Sequence, residues 1–171
     1  RASIVILTTV MMLSVACGGK KEPAAAGDGS RPLVIAFDTS PTNLDARVGN
    51  DQASGRIFDM IYSGLVKVTP NAGYEPDLAE RWETPDDRTI IFHLKAGTKF
   101  QDGRPLSARD VKWTYESLMA EDFSSPKKSG YATVTAFEAP DDRTFVIRLK
   151  EPNAGIFDNL TLGILPQGAD T

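Results

Sequence analysis

Few residues in this sequence have the types that do chemistry. One histidine, His93, could hold a metal or move a proton near neutral pH. Two adjacent acid pairs, Asp86-Asp87 and Asp141-Asp142, have the groups of acid–base catalysis, and one cysteine, Cys17, could be a nucleophile, a ligand or a site of modification. Their partners are missing. One His and one Cys cannot complete a structural zinc site, and a lone Cys forms no internal disulfide. Adjacent acids in one turn are separately solvated, whereas acid–base work needs carboxylates converging from different environments. The sequence holds no Gly-x-Ser-x-Gly, no phosphate-binding loop and no Gly-x-Gly-x-x-Gly after a strand. Catalytic residues, metal ligands and cofactors are therefore not expected, and turn chemistry is the reading for the acid pairs.

The elements that position these residues support that reading. Pro85-Asp86-Asp87-Arg88-Thr89-Ile90-Ile91-Phe92-His93-Leu94-Lys95 recurs at an offset of 55 residues, from Pro140 to Lys150, as Pro-Asp-Asp-Arg-Thr-Phe-Val-Ile-Arg-Leu-Lys. In each copy a turn precedes a strand with alternating apolar residues: Ile90, Phe92 and Leu94, then Phe145, Ile147 and Leu149. His93 falls between apolar positions, and its counterpart is Arg148, which cannot bind a metal, so a solvent-facing strand position explains it. Two copies are too few for a solenoid, and two similar hairpins in one sheet are expected.

Composition narrows the class. The 171 residues are 41% hydrophobic and 25% charged, with 19 basic and 23 acidic side chains and a net charge of −4. With no basic excess there is little electrostatic reason to bind nucleic acid, and no nucleic-acid partner is expected. Ile4 to Ala16 is an uncharged apolar run after Arg1. As a helix it would be roughly 20 Å long against about 30 Å of bilayer hydrocarbon, which suits a signal peptide better than a span. Ala16-Cys17 looks like the lipobox of bacterial lipoproteins, with Ser14 where an aliphatic residue is usual and Leu13 one position further out. Residues 1–16 are read as a lipoprotein signal peptide, Cys17 as the lipidation site and residues 17–30 as a flexible tether, since Gly18 to Ser30 has no large apolar side chain. Arg1 in place of Met and an ending without a structural stop suggest a piece of a longer chain.

Beyond Arg31, Leu33-Val34-Ile35-Ala36-Phe37 reads as a strand buried on both faces, as parallel or mixed sheets require, ending in the loop Asp38 to Asn43. Thr39, Ser40, Thr42 and Asn43 follow that strand. They are either solute contacts, because ligands bind beyond the carboxyl ends of strands in open α/β sheets, or a plain polar turn. Ile57, Met60, Ile61 and Leu65 have helical spacing, with Asn50 as cap and Gly64 near the end. Thr69 to Gly73 is a turn. A second helix starts at Ser107, with Asp110 at its positive end, Leu106 and Val111 as staple, and Val111, Tyr115 and Leu118 facing the core. Trp82, Trp113, Tyr62 and Tyr115 could stack on a ligand but are spaced as core or rim residues.

The stretch Phe92 to Val111, with Phe-His-Leu-Lys-Ala-Gly-Thr-Lys-Phe-Gln-Asp-Gly-Arg-Pro-Leu-Ser-Ala-Arg-Asp-Val, resembles the signature of the family 5 extracytoplasmic solute-binding proteins. Tyr62 to Val66 and Glu75 to Trp82 look like the segments that precede it. The resemblance covers about residues 33 to 166 and implies an α/β (mixed α+β) class II periplasmic-binding-protein fold, incomplete here, with a small inserted domain. Residues 31–50 would start the first lobe, 51–150 form the inserted domain and 151–171 return to the first lobe. The family's work would be capture of a peptide or similar small solute for an ABC permease and its ATPase, by a lipid-anchored, extracytoplasmic protein that is not an enzyme and is a monomer when full length. An exported hydrolase with catalytic residues beyond Thr171 and a protein-binding scaffold lipoprotein are the rivals. Residues 31–171 alone, with sheet edges open, should be marginally stable.

Overall fold

A computed structural model describes residues 34–169. Helix α1 (Gln52–Ile61) opens at Asp51, whose carboxylate accepts the Ser54 backbone N–H at 2.9 Å. Asp51, and not the expected Asn50, is the N-cap, because only from there can a carboxylate reach the third helical amide. At the other end Tyr62 turns to extended backbone. Gly64, expected to end the helix, instead lets two segments touch: a Cβ there would lie 2.7 Å from the backbone of Thr161. The apolar stripe of α1 also divides. Leu65 is fully buried, Ile57 is half-buried, and Met60 and Ile61 are 51% and 42% exposed. Leu65 lies past the helix end, so helical spacing no longer governs where it points.

Strands β1 (Val66–Val68) and β2 (Tyr74–Pro76) pair antiparallel around the Thr69–Gly73 turn. Strands β3 (Ala79–Asp86), β4 (Thr89–Leu94), β5 (Val134–Glu138) and β6 (Thr144–Leu149) make an antiparallel sheet in the order β3-β4-β6-β5. Helix α2 (Ala108–Met119) and a 3-10 turn at Lys128–Tyr131 connect β4 to β5, and the single-turn helix α3 (Ile156–Asn159) follows β6. The expected strand at Leu33–Phe37 is not formed over the described residues 34–37, where Val34 is 84% exposed. A strand buried on both faces needs a neighbour on each side, which a short apolar run cannot itself supply.

The repeated sequence builds a local two-fold arrangement. Ile91 pairs with Val146, its own counterpart in the second copy, and around that pair Ile90 lies opposite Ile147 and Phe92 opposite Phe145. The Leu94 N–H donates to the Arg143 carbonyl at 2.8 Å, and the Leu149 N–H donates to the Arg88 carbonyl at 2.8 Å. Both acid pairs are turn-formers: Asp86 accepts the Arg88 N–H and Asp141 the Arg143 N–H, each at 2.8 Å. The correspondence reaches the helices. Tyr115 of α2 stacks on Phe137 at 5.2 Å between ring centroids, while Phe157 of α3 packs 5.8 Å from Trp82, the position equivalent to Phe137. Each unit is thus a hairpin and a helix.

Val111, Tyr115 and Leu118 are fully buried, as their spacing requires, with Phe92, Phe145 and Ile147 on the facing sheet. Each such side chain contributes roughly 1.5–3 kcal/mol by leaving water. One carboxylate oxygen of Asp110 accepts the Ser107 N–H at 2.8 Å and its hydroxyl at 2.9 Å, and the other accepts the Gln167 N–H at 2.9 Å. Buried Thr114 accepts the Leu165 N–H at 3.0 Å. Helix α2 is therefore fixed to segment 165–167 as well as to the sheet.

Candidate functional site

The loop from Asp38 to Asp51 carries the sequence-predicted contact residues, and the structure separates them. Thr39 and Ser40 are exposed at its tip. Thr42 and Asn43, also exposed, are turned to holding the loop. Thr42 donates its backbone N–H to Asp51 at 3.3 Å and its hydroxyl to the same oxygen. The Asn43 N–H donates to Ser54 Oγ at 3.4 Å, and its side-chain oxygen accepts the Asp45 N–H at 2.7 Å. The Ser54 hydroxyl adds a bond to Asp51 at 2.5 Å. These donors, the Ser54 hydroxyl first and that of Thr42 next, hold the Asp51 carboxyl well below the usual carboxylate range.

Behind the tip lies a buried ion pair that sequence reading missed. Arg47 and Asp45 are 4% and 7% exposed, with Nη2 and Oδ2 2.9 Å apart. The guanidinium also donates to Ser117 Oγ at 2.9 Å and lies over the rings of Phe123 and Trp113, at 4.5 Å and 5.3 Å from their centroids. The signal was present only as Asp-Ala-Arg in a loop, where a charged pair reads as solvated surface. Its burial depends on α2 and the Phe123 loop, some 70 residues on.

Two clefts flank the Tyr62–Gly64 bend. One, of about 580 Å³, is lined by Phe58, Asp59, Tyr62, Lys67, Asp77 and Thr161 among others. The second, of about 330 Å³, lies between the end of α1 and the Thr98–Leu106 hairpin and includes the exposed Met60 and Ile61. None of Thr39, Ser40, Thr42 and Asn43 lines either cleft. Gly64 donates its N–H to Asp77 at 3.0 Å, which shapes the floor of the larger cleft.

The remaining chemical candidates have structural partners. His93 Nε2 lies 3.0 Å from Glu83, and Arg148 Nε donates to Glu138 at 2.8 Å. Glu83 and Glu138 are themselves equivalent positions, so His93 takes the place beside a neighbouring-strand glutamate that Arg148 takes in the second copy. Among the described residues no group of three or more His, Cys, Asp or Glu is placed to hold a metal. Cys17 lies outside the described residues.

Residues 73–169 match the sequence model of the bacterial extracellular solute-binding proteins, family 5 Middle. The chain belongs to this family. The oligopeptide-binding protein AppA of Bacillus subtilis is 27% identical over 184 residues, covering 98% of this chain and 33% of AppA. The structure of AppA in complex with a nonapeptide superposes with a TM-score of 0.68 at 28% identity, over 71% of this chain and 25% of AppA. AgaA from A. tumefaciens R10, solved in complex with agropinic acid, gives a TM-score of 0.69 at 27% identity, over 74% of this chain and 26% of AgaA. This family 5 chain spans a third or less of the length of the curated relatives it matches. The mixed α/β class and the likeness to periplasmic binding proteins expected from the sequence hold.

Proposed function

We propose that this chain is the front portion of the substrate-binding lipoprotein of an ABC importer, which captures peptides or a similar small solute outside the cytoplasmic membrane and delivers it to a permease driven by an ATPase. The observation that carries this reading is the family match over residues 73–169. Peptides lead as the solute class because AppA is an oligopeptide-binding protein solved with a nonapeptide. In this reading residues 31–50 begin the first lobe, 51–150 are the inserted small domain and 151–171 return to the first lobe. Cys17 carries the lipid and residues 17–30 the tether. Thr39, Ser40, Thr42 and Asn43 are the proposed contact group. Thr39 and Ser40 make the first contacts with solute, since the side chains of Thr42 and Asn43 are already engaged.

The mechanism is capture without chemistry. Two lobes close about the solute, and the closed state becomes populated because only there is the solute touched from both sides. The full-length protein, a monomer in this reading, is expected to bind members of a peptide panel in isothermal titration and to return them unaltered in mass. Turnover of the peptides would favour an exported hydrolase, and silence toward every small solute would favour a scaffold. Metabolic labelling with a fatty acid tests the anchor, with Cys17→Ser expected to lose the label.

A further inference from the structure

Residues 44–47 belong to no helix or strand, so their backbone carbonyls have no ladder partners. Three of them are nevertheless met by side chains from far along the chain. The Leu44 carbonyl accepts the Tyr62 hydroxyl at 3.0 Å, the Ala46 carbonyl accepts Lys127 Nζ at 2.6 Å, and the Arg47 carbonyl accepts the Ser125 hydroxyl at 2.5 Å. An irregular segment ordinarily leaves its carbonyls to water. Here an ammonium group is drawn half out of solvent to serve one, and it lies 5.3 Å from the centroid of the Phe58 ring. Burial lowers the Lys127 pKa, which is the sign of that desolvation. A lysine has the reach to stay in water, so its position over Phe58 is sustained by the short bond to Ala46.

The anchored segment is coupled to the tip before it. The Asp45 N–H is bonded to the Asn43 side chain at 2.7 Å, the Gly49 N–H to the Asp45 carbonyl at 2.9 Å, and a Cβ on Gly49 would lie 2.6 Å from the Asn43 carbonyl. The base of the tip therefore has little room to move independently of the carbonyls that Lys127 and Ser125 hold, whereas Asp38, Thr39 and Ser40 are exposed.

The geometry points to Lys127 as a positioning residue for solute capture: with Ser125 and Tyr62 it clamps the Leu44–Arg47 carbonyls and so presets the Asp38–Ser40 tip. This rests on the receptor reading above. A loop already held in its binding shape loses less freedom when the solute arrives, so the clamp acts on affinity without touching the solute.

The test uses the full-length protein and a series of alanine peptides of three to nine residues. Lys127→Met is expected to weaken the best-bound peptide about tenfold, chiefly through faster dissociation and a less favourable binding entropy. Lys127→Arg should restore most of the loss, and Ser125→Ala should act in the same direction as Lys127→Met and carry the test if that variant does not fold. Hydrogen exchange supplies a reading independent of ligand: the amides of Leu44 to Gly49 should exchange faster in Lys127→Met while those of β4 and β6 do not change. Unaltered peptide affinity in Lys127→Met, or no recovery in Lys127→Arg, overturns the inference while leaving the receptor reading in place. A wild-type protein that binds no peptide of the series overturns the inference together with peptides as the solute class, and leaves capture of another small solute to be tested by the wider titration above.

Discussion

Thr42 and Asp51, nine residues apart, are joined twice, by the backbone N–H and by the hydroxyl of Thr42 on a single oxygen of Asp51. The bonds tie the candidate solute loop to the first turn of α1, so loop and helix share one cap. Thr42→Val keeps the shape and removes the hydroxyl. A loss of about 1 kcal/mol in denaturant unfolding is expected, and an unchanged midpoint would show the cap to be sufficient without Thr42.

The same carboxylate gives the protein an acid-sensitive joint. Because the folded-state pKa of Asp51 lies below its unfolded value, the contribution of this cap is fully present above the ordinary aspartate pKa of about 4 and is lost as the pH falls through the folded value. Melting temperatures from about pH 6 to about pH 3 should fall more steeply for wild type than for Asp51→Asn, whose capping group does not titrate. Parallel curves would count against it.

Tyr115 is fully buried between α2 and the sheet, and its hydroxyl has no hydrogen-bond partner among the described residues. Burial raises its pKa well above the ordinary tyrosine value, so it stays neutral. Tyr115→Phe removes a desolvated polar atom and keeps the ring stacking on Phe137 and Phe145. A gain of about 1 kcal/mol by chemical denaturation is expected, and a loss would overturn the view that this hydroxyl is a cost to the core.

Gly64 is required by contact and not by its backbone angles, since its φ lies outside the left-handed range. Gly64→Ala sets a methyl against the Thr161 backbone, which has no flexible end to withdraw, and should cost about 1–3 kcal/mol. The amides of Leu65 and Val66, both bonded to the Leu160 carbonyl, are the probes to follow by hydrogen exchange.

Arg47→Met leaves Asp45 buried without its guanidinium partner and should destabilise by about 3–5 kcal/mol. Calorimetry would show it as a large fall in melting temperature. A change within the range of an exposed pair, under about 1 kcal/mol, would mean that the pair is open to water in solution.

What could be read in advance was local. Asp102-Gly103 with Ser107 and Asp110 predicts the start of α2, and the Pro-Asp-Asp turns predict both hairpins, because turn and cap chemistry act over three or four residues. The alternation at Ile90, Phe92 and Leu94 then assigns the core face, which makes His93 a surface residue without further information. Leu33–Phe37 was misread because burial on both faces depends on neighbours that a short apolar run cannot name. Met60 and Ile61 failed for the same reason: a helical stripe states that a face is apolar and not what covers it. The cluster around Asp45 and Arg47 was illegible, since its partners come from far along the chain, Ser117 from within α2 and Phe123, Ser125 and Lys127 from the loop beyond it.

The pairing of Ile91 with Val146 also governs the order in which this protein can assemble. Strand β4 is central, yet its inner neighbour is β6, which is synthesised only after α2 and β5. A nascent chain that has reached Met119 holds a hairpin and a helix with no second half to lie against, and the apolar faces of Phe92 and Tyr115 must wait. Early contacts are therefore provisional, the committing step closes a long loop, and assembly should be slower than for a sheet of the same size whose neighbours follow one another in sequence.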